Sequence, residues 1–177
     1  FMIAVYIFDE TKLRSYMKKT EDEKMVAGLV YIDNYEEALE GVEEVRRPLL
    51  TALVDRKINK YFQNIDAIVK KLEKDKFLVV FQQKYLQQLQ TTKFALLDEV
   101  RSINIGNEIA VTLSIGLGVG FPSYIQAYDA SRVSIDLALG RGGDQAVVKD
   151  GEQIYYYGGK SQGVEKNTRV KARVKAH

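Results

Sequence analysis

Between Ile109 and Gly120 the chain alternates with a period of two. Val111, Leu113, Ile115, Leu117 and Val119 fall on one side, and Gly116, Gly118 and Gly120 on the other. Successive side chains of a strand point to opposite faces, so this pattern makes one face apolar and the other nearly bare backbone. Glycine inside a strand is unfavourable unless another part of the chain must come very close. The spacing therefore predicts a buried strand over 109–120, closely approached on its glycine side. Pro122 ends it, and Ser123 is placed to cap a helix over 124–139. A strand that needs cover on both faces calls for a layered domain.

The other elements follow from the same periodicities. Val26 to Ile32 is a compact apolar run that suits a buried central strand. Residues 36–44 are acidic and predict a short helix. From Pro48 onward Leu49, Leu50, Leu53, Val54, Ile58, Tyr61, Phe62 and Ile65 share one helical face, with Arg56, Lys57 and Lys60 off it. Pro48 fits the first turn, where its missing N–H does no harm. Residues 67–72 and 77–81 read as a hairpin, and 84–102 as a second amphipathic helix. Gly140 to Asp144 is a turn closing a helix, with Gly140, Gly142 or Gly143 taking positive φ. Residues 145–149 and 154–157 are strands joined at Asp150-Gly151. This order predicts an α+β domain with a mainly antiparallel central sheet flanked by helices.

Toward the start, Leu13, Tyr16 and Met17 recur at helical spacing, which predicts a connecting helix over 9–24 capped by Asp9 or Thr11. The apolar run 1–8 is shorter than the ~20 residues a spanning helix needs and reads as a strand closing a preceding domain. Residues 166–177 alternate basic and small apolar side chains, which suits a strand or an extended linker.

The 177 residues contain no cysteine and one histidine, His177, at the last position. Thiolate metal sites and thiol catalysis are therefore excluded, and a Ser-His-Asp triad has almost nothing to work with. A net charge of +2 gives no global field that would demand nucleic acid, and no aromatic interleaves the basic tail.

Chemistry concentrates in three segments. The first is Lys71-Leu72-Glu73-Lys74-Asp75-Lys76-Phe77. The second is Leu29-Val30-Tyr31-Ile32-Asp33-Asn34-Tyr35. The third is Gly140-Arg141-Gly142-Gly143-Asp144-Gln145-Ala146-Val147-Val148. The first resembles an eroded GGDEF signature, in which Asp75 and Phe77 keep the Asp and Phe. Glu73 and Lys74 stand in the glycine places, and Lys76 stands in the Glu place. The second is similar to the metal-binding DxDxF strand end of diguanylate cyclases, with Tyr31 at the first Asp. With the third segment and Tyr156 to Gly159, the chain resembles the modified GGDEF domain of GdpP-type (YybT-type) cyclic-di-AMP phosphodiesterases.

That resemblance implies the GGDEF, nucleotide-cyclase palm-like fold. It further implies a regulatory domain of a membrane-anchored bacterial protein facing the cytoplasm, with weak ATPase and no diguanylate cyclase activity. The cyclase carboxylates that hold Mg²⁺ correspond here to Tyr31 and Lys76, and an ammonium reverses the sign a cation needs. The autoinhibitory RxxD of cyclases is replaced by Asn64, Ile65, Asp66 and Ala67. Candidate nucleotide-binding residues are Asp33, Asn34, Lys74, Asp75 and Lys76. The lysines act as point charges toward phosphates, and Asp33 and Asp75 are candidate ligands of a Mg²⁺ that arrives with ATP. The implied organisation is 1–8 as the tail of a PAS-like domain, 9–24 as the linker helix, and 25–160 as the degenerate GGDEF domain. Residues 161–177 then lead toward a DHH/DHHA1 module that uses Mn²⁺ and lies outside this chain. The implied partners are a nucleotide and a second copy in a homodimer, with no nucleic acid. The other reading is a catalytically dead dimerisation and signal-relay module with a vestigial pocket.

Overall fold

The computed structural model describes residues 2–159 and 166–167, with side chains from 11 to 159. The strand of the central alternation, β4 (Leu113–Val119), is buried at every position. Its odd residues join a core with Val26, Val30 and Ile32 of β1 (Met25–Ile32) and with Phe77, Val79 and Phe81 of β3 (Lys76–Gln82). Helix α6 (Tyr124–Gly140) lies on its glycine side, and a Cβ on Gly118 would sit 2.0 Å from the Ala127 carbonyl oxygen. A Cβ on Gly116 would sit 2.4 Å from the Ile135 amide nitrogen. The glycines are thus what lets a helix backbone rest on the sheet, and α6 answers with Ala127, Ala130, Ser131, Ser134 and Ala138, all buried. Ser123 caps α6 by accepting from the Gln126 amide at 3.2 Å. The strand starts at Leu113 rather than Ile109, because residues 109–112 are held instead by the turn after β1.

The sheet order is β2-β3-β1-β4-β5-β6-β7, where β2 is Ile68–Glu73, β5 Gln145–Asp150, β6 Gln153–Gly158 and β7 Lys166–Asn167. Among the described residues β4 and β5 form the one parallel pair, bridged by α6, and the other neighbours are antiparallel. The opposite face is covered by α3 (Arg47–Gln63), α4 (Leu86–Thr91) and α5 (Leu96–Arg101). Leu50, Val54, Ile58 and Phe62 recur every fourth residue of α3 and are buried, each contributing roughly 1.5–3 kcal/mol. Pro48 lies in its first turn, as expected. The short α2 (Tyr35–Glu40) follows β1 and covers the first part of the acidic 36–44 run.

Two sequence expectations are corrected. The single helix over 84–102 is a 3-10 turn at Gln83–Tyr85, then α4 and α5, broken where Lys93 and Phe94 take φ of 50° and 53°. Two left-handed residues cost roughly 1–2 kcal/mol each. The break turns the Phe94 ring into the core, 5.2 Å between centroids from Tyr157, and leaves Phe94 fully buried. An unbroken amphipathic helix would aim that ring elsewhere. The expected strand over 1–8 is helix instead: α1 runs from Met2 to Glu23, so neither Asp9 nor Thr11 caps it. Leu13, Tyr16 and Met17 of α1 stay exposed. The 166–177 tail is described only at β7, which pairs with β6 as an extended segment; the rest lies outside the described residues. Gly142 and Gly143 take positive φ in the turn after α6, while Gly140 is the last residue of the helix itself.

Candidate functional site

The three motif segments converge at one end of the sheet. β1 ends there, the β2–β3 hairpin turns there, and β4 and β5 begin there. The Ile32 amide donates to the Asp75 carbonyl at 2.9 Å, and the Asp33 amide donates to the Thr112 carbonyl at 2.9 Å. These bonds fix the hairpin tip and the entry to β4 on either side of the β1 end.

The hairpin closes with a two-residue turn, Lys74-Asp75, between the paired Glu73 and Lys76. No residue of the tip has positive φ, so replacing the signature glycines strains nothing. Their loss instead places long charged side chains where a close backbone approach would otherwise be open. Tyr31 and Lys76 are cross-strand partners, and the Lys76 ammonium stands 5.3 Å from the centroid of the Tyr31 ring. Burial pushes the Tyr31 phenol above its ordinary value, and Lys76 opposes that rise. The phenol is therefore neutral at pH 7, an uncharged group facing an ammonium where a divalent cation would need two carboxylates.

Both hairpin lysines have acidic partners. Lys74 pairs with Glu36 of α2 and lies 5.4 Å from the Tyr35 ring centroid. Lys76 pairs with Glu73 at 3.3 Å. Each ammonium is held above its ordinary pKa chiefly by the hydrogen bond to that glutamate. Between them sits Asp75, whose carboxylate takes no hydrogen bond or ion pair among the described residues.

Asp33 and Asn34 are committed inside the fold. The Asp33 carboxylate accepts from Ser114 Oγ at 2.6 Å, from Thr112 Oγ1 at 3.0 Å and from the Asp144 amide at 2.8 Å. Asn34 donates to the Ala110 carbonyl at 2.8 Å and accepts from the Thr112 amide at 3.1 Å, which continues the strand pairing with a side chain. Gly143 packs on the Asp33 carboxyl so closely that a Cβ would lie 2.8 Å from it. Asp144 in turn takes a two-pronged bond from Arg101 of α5, at 3.0 and 2.7 Å. This bond is largely responsible for raising the Arg101 pKa. The glycine-rich turn after α6 is thus a structural joint, as its sequence context implied.

All five candidates therefore lie at one end of the sheet, but with different surroundings. Asp33 and Asn34 brace the fold, Lys74 and Lys76 are ion-paired, and Asp75 offers a carboxylate with no hydrogen bond or ion pair among the described residues, in the field of both lysines. The donor set does not reproduce a cyclase Mg²⁺ seat, because a phenol, an ammonium and a carboxylate already carrying three donors occupy its place. Sequence reasoning missed Thr112 and Ser114, although they share the glycine parity of β4 and so belong to the face that meets Asp33. It also missed Glu36 and the Arg101–Asp144 pair, whose members lie 38 and 43 residues from their partners, beyond any local pattern.

Comparison with known proteins agrees with this geometry. The family described as cyclic-di-AMP phosphodiesterase GdpP-like, GGDEF domain, matches residues 30–155. The chain is 36% identical over 174 residues to the cyclic-di-AMP phosphodiesterase GdpP of Geobacillus thermodenitrificans, covering 98% of this chain and 26% of that protein. It is 37% identical over 171 residues to the cyclic-di-AMP phosphodiesterase PdeA of Listeria monocytogenes, with 96% and 26% covered. It therefore spans about a quarter of the length of the curated relatives it matches. Among solved structures, the GGDEF domain of DgcB from Caulobacter crescentus, in complex with c-di-GMP, superposes with a TM-score of 0.60 at 16% identity. That match covers 80% of this chain and 87% of the other and establishes the fold. No helix among the described residues is long and apolar enough to cross a membrane. By the family match, and by 36–37% identity along nearly all of its own length, the chain belongs to the GGDEF domains of GdpP-like cyclic-di-AMP phosphodiesterases.

Proposed function

We propose that this chain is the regulatory domain of a membrane-anchored, cytoplasm-facing enzyme that hydrolyses cyclic-di-AMP to the linear dinucleotide. On this reading a PAS-like domain precedes it, and a Mn²⁺-dependent DHH/DHHA1 module follows and performs the hydrolysis. The domain itself binds ATP at the hairpin tip, turns it over slowly, and makes no cyclic dinucleotide. The observation that carries this reading is the Tyr31–Lys76 pair, a phenol and an ammonium facing each other across strands where a cyclase needs carboxylates. Lys74 and Lys76 are the groups that would meet phosphates. Mg²⁺ would enter with the ATP, and Asp75 is the carboxylate positioned to meet it. Calorimetry and phosphate release on the purified chain test this. ATP binding and slow turnover are expected, and Asp75→Ala should remove most of the turnover. Turnover equal to wild type in that variant would contradict the assignment.

A second reading is favoured by the internal commitments of Asp33 and Asn34 and by the exposed stripe Leu13, Tyr16 and Met17 on α1. It makes the domain a dimerisation and signal-relay module with a vestigial pocket. It is supported if calorimetry detects no ATP while sedimentation shows a dimer that Leu13→Glu dissociates. ATP binding by a monomeric wild-type chain removes it.

A further inference from the structure

The two lysines that flank the hairpin tip are each held by a carboxylate of the same chain. Lys74 reaches from the tip to Glu36 on α2, across 38 residues of sequence, and its ammonium stands over the Tyr35 ring. Lys76 turns back to Glu73 on the neighbouring strand. The Lys74–Glu36 contact spans from the hairpin to α2, so it ties together the two elements that border the β1 end. Both partners are well exposed, with side-chain exposures of 60% and 64%. An ion pair in that setting is weak and exchanges readily with a better anion.

We propose that Glu36 is an autoinhibitory counter-anion, a strap that occupies Lys74 until a polyphosphate displaces it. Glu73 holds Lys76 in the same way. The ligand class is a linear polyphosphate, whose several oxyanions together outcompete the one carboxylate that Lys74 holds. This inference rests on the nucleotide reading given above and sharpens it, because it assigns α2 a role in setting affinity. It also explains why the tip tolerates glutamate and lysine where a cyclase carries two glycines: the tip supplies its own lock.

Removing an acid should then strengthen anion binding, and only the strapping acid should do so. Glu37 is the control. It is exposed, lies one residue along α2, carries the same charge and makes no contact with Lys74. The probes are ATP, inorganic tripolyphosphate and adenosine, titrated calorimetrically into the full chain at fixed ionic strength. Thermal melts confirm that each variant is folded.

Glu36→Gln is expected to tighten ATP and tripolyphosphate by roughly two- to fivefold. Glu36→Gln with Glu73→Gln should tighten them further, by about tenfold. Glu37→Gln should leave both within about 1.5-fold of wild type, because an exposed charge with no ion pair to Lys74 is largely screened by solvent and salt. Lys74→Ala should weaken both, and adenosine should not respond to either glutamate. Tightening of ATP without tripolyphosphate would place the effect at the base and overturn the polyphosphate class. If ATP binds wild type and Lys74→Ala weakens it, yet Glu36→Gln matches Glu37→Gln, the strap is wrong and the nucleotide reading stands. If neither wild type nor Glu36→Gln binds any probe, both fail together.

Discussion

Asp33 shows how one residue can keep its place in a motif and change its work. Its carboxylate closes three hydrogen bonds that join the end of β1, the entry to β4 and the turn before β5. Hydrogen bonds to a charged acceptor contribute about 1.5–3 kcal/mol each, and removing the acceptor leaves donors stranded. Asp33→Ala should therefore lower stability by about 2–4 kcal/mol in urea unfolding. Asp33→Asn should recover part of it, since its amide oxygen can keep the bonds from Thr112 Oγ1 and the Asp144 amide and its NH2 can donate to the Ser114 hydroxyl, with only the charge lost. An unfolding midpoint equal to wild type would return Asp33 to the list of free ligands. Tyr61 allows a separate test by pH. Burial pushes its phenol from an ordinary 10.0 up to about 12. Because the folded-state value is the raised one, the stability it confers is complete below the unfolded value. It is lost as pH rises from there through the folded value. Tyr61→Phe should accordingly lose less stability than wild type between about pH 9 and about pH 11.5, read by urea unfolding at each pH. A parallel loss in both proteins would contradict the burial.

At the scale of elements, the β4–α6 contact was legible because it is written in a strict alternation. Gly118→Ala places a methyl 2.0 Å from the Ala127 carbonyl, and backbone cannot yield as a side chain can. It should destabilise by more than about 3 kcal/mol, the upper range for overpacking. Gly140→Ala meets nothing within 4 Å at the end of α6 and should be neutral or gain up to about 1 kcal/mol. Thermal melts that rank the two variants the other way would refute the close approach. The break between α4 and α5 was not legible, because the amphipathic pattern of 84–102 continues across it. What decides the break is where the Phe94 ring must go to reach Tyr157, and those residues are 63 positions apart in the chain (157 − 94). The start of α1 was misread for a related reason. A short apolar run serves strand and helix equally, and only its length of continuity with 9–23 separates them. At the site, the worn motifs bring every candidate to one end of the sheet. Their partners were hidden because Glu36, Thr112, Ser114 and Asp144 arrive from other elements.

The whole molecule joins a cyclase fold to a reversed charge pattern. The fold is that of the GGDEF domains, with the hairpin at one end of the sheet and α6 on its glycine face. The residues at the sheet end face cations with an ammonium and face anions with two lysines held by their own acids. α1, 22 residues and roughly 33 Å long, leads away from the sheet end opposite the hairpin. A change at the tip can reach it only through the body of the domain. The most direct test of the reversed pattern is a titration of Mn²⁺ into the chain with GTP, followed by electron paramagnetic resonance, with chromatography of the products. The account predicts no manganese bound beyond what GTP alone binds, and no cyclic di-GMP after prolonged incubation. Two chain-dependent manganese ions in the complex, or cyclic di-GMP among the products, would contradict it.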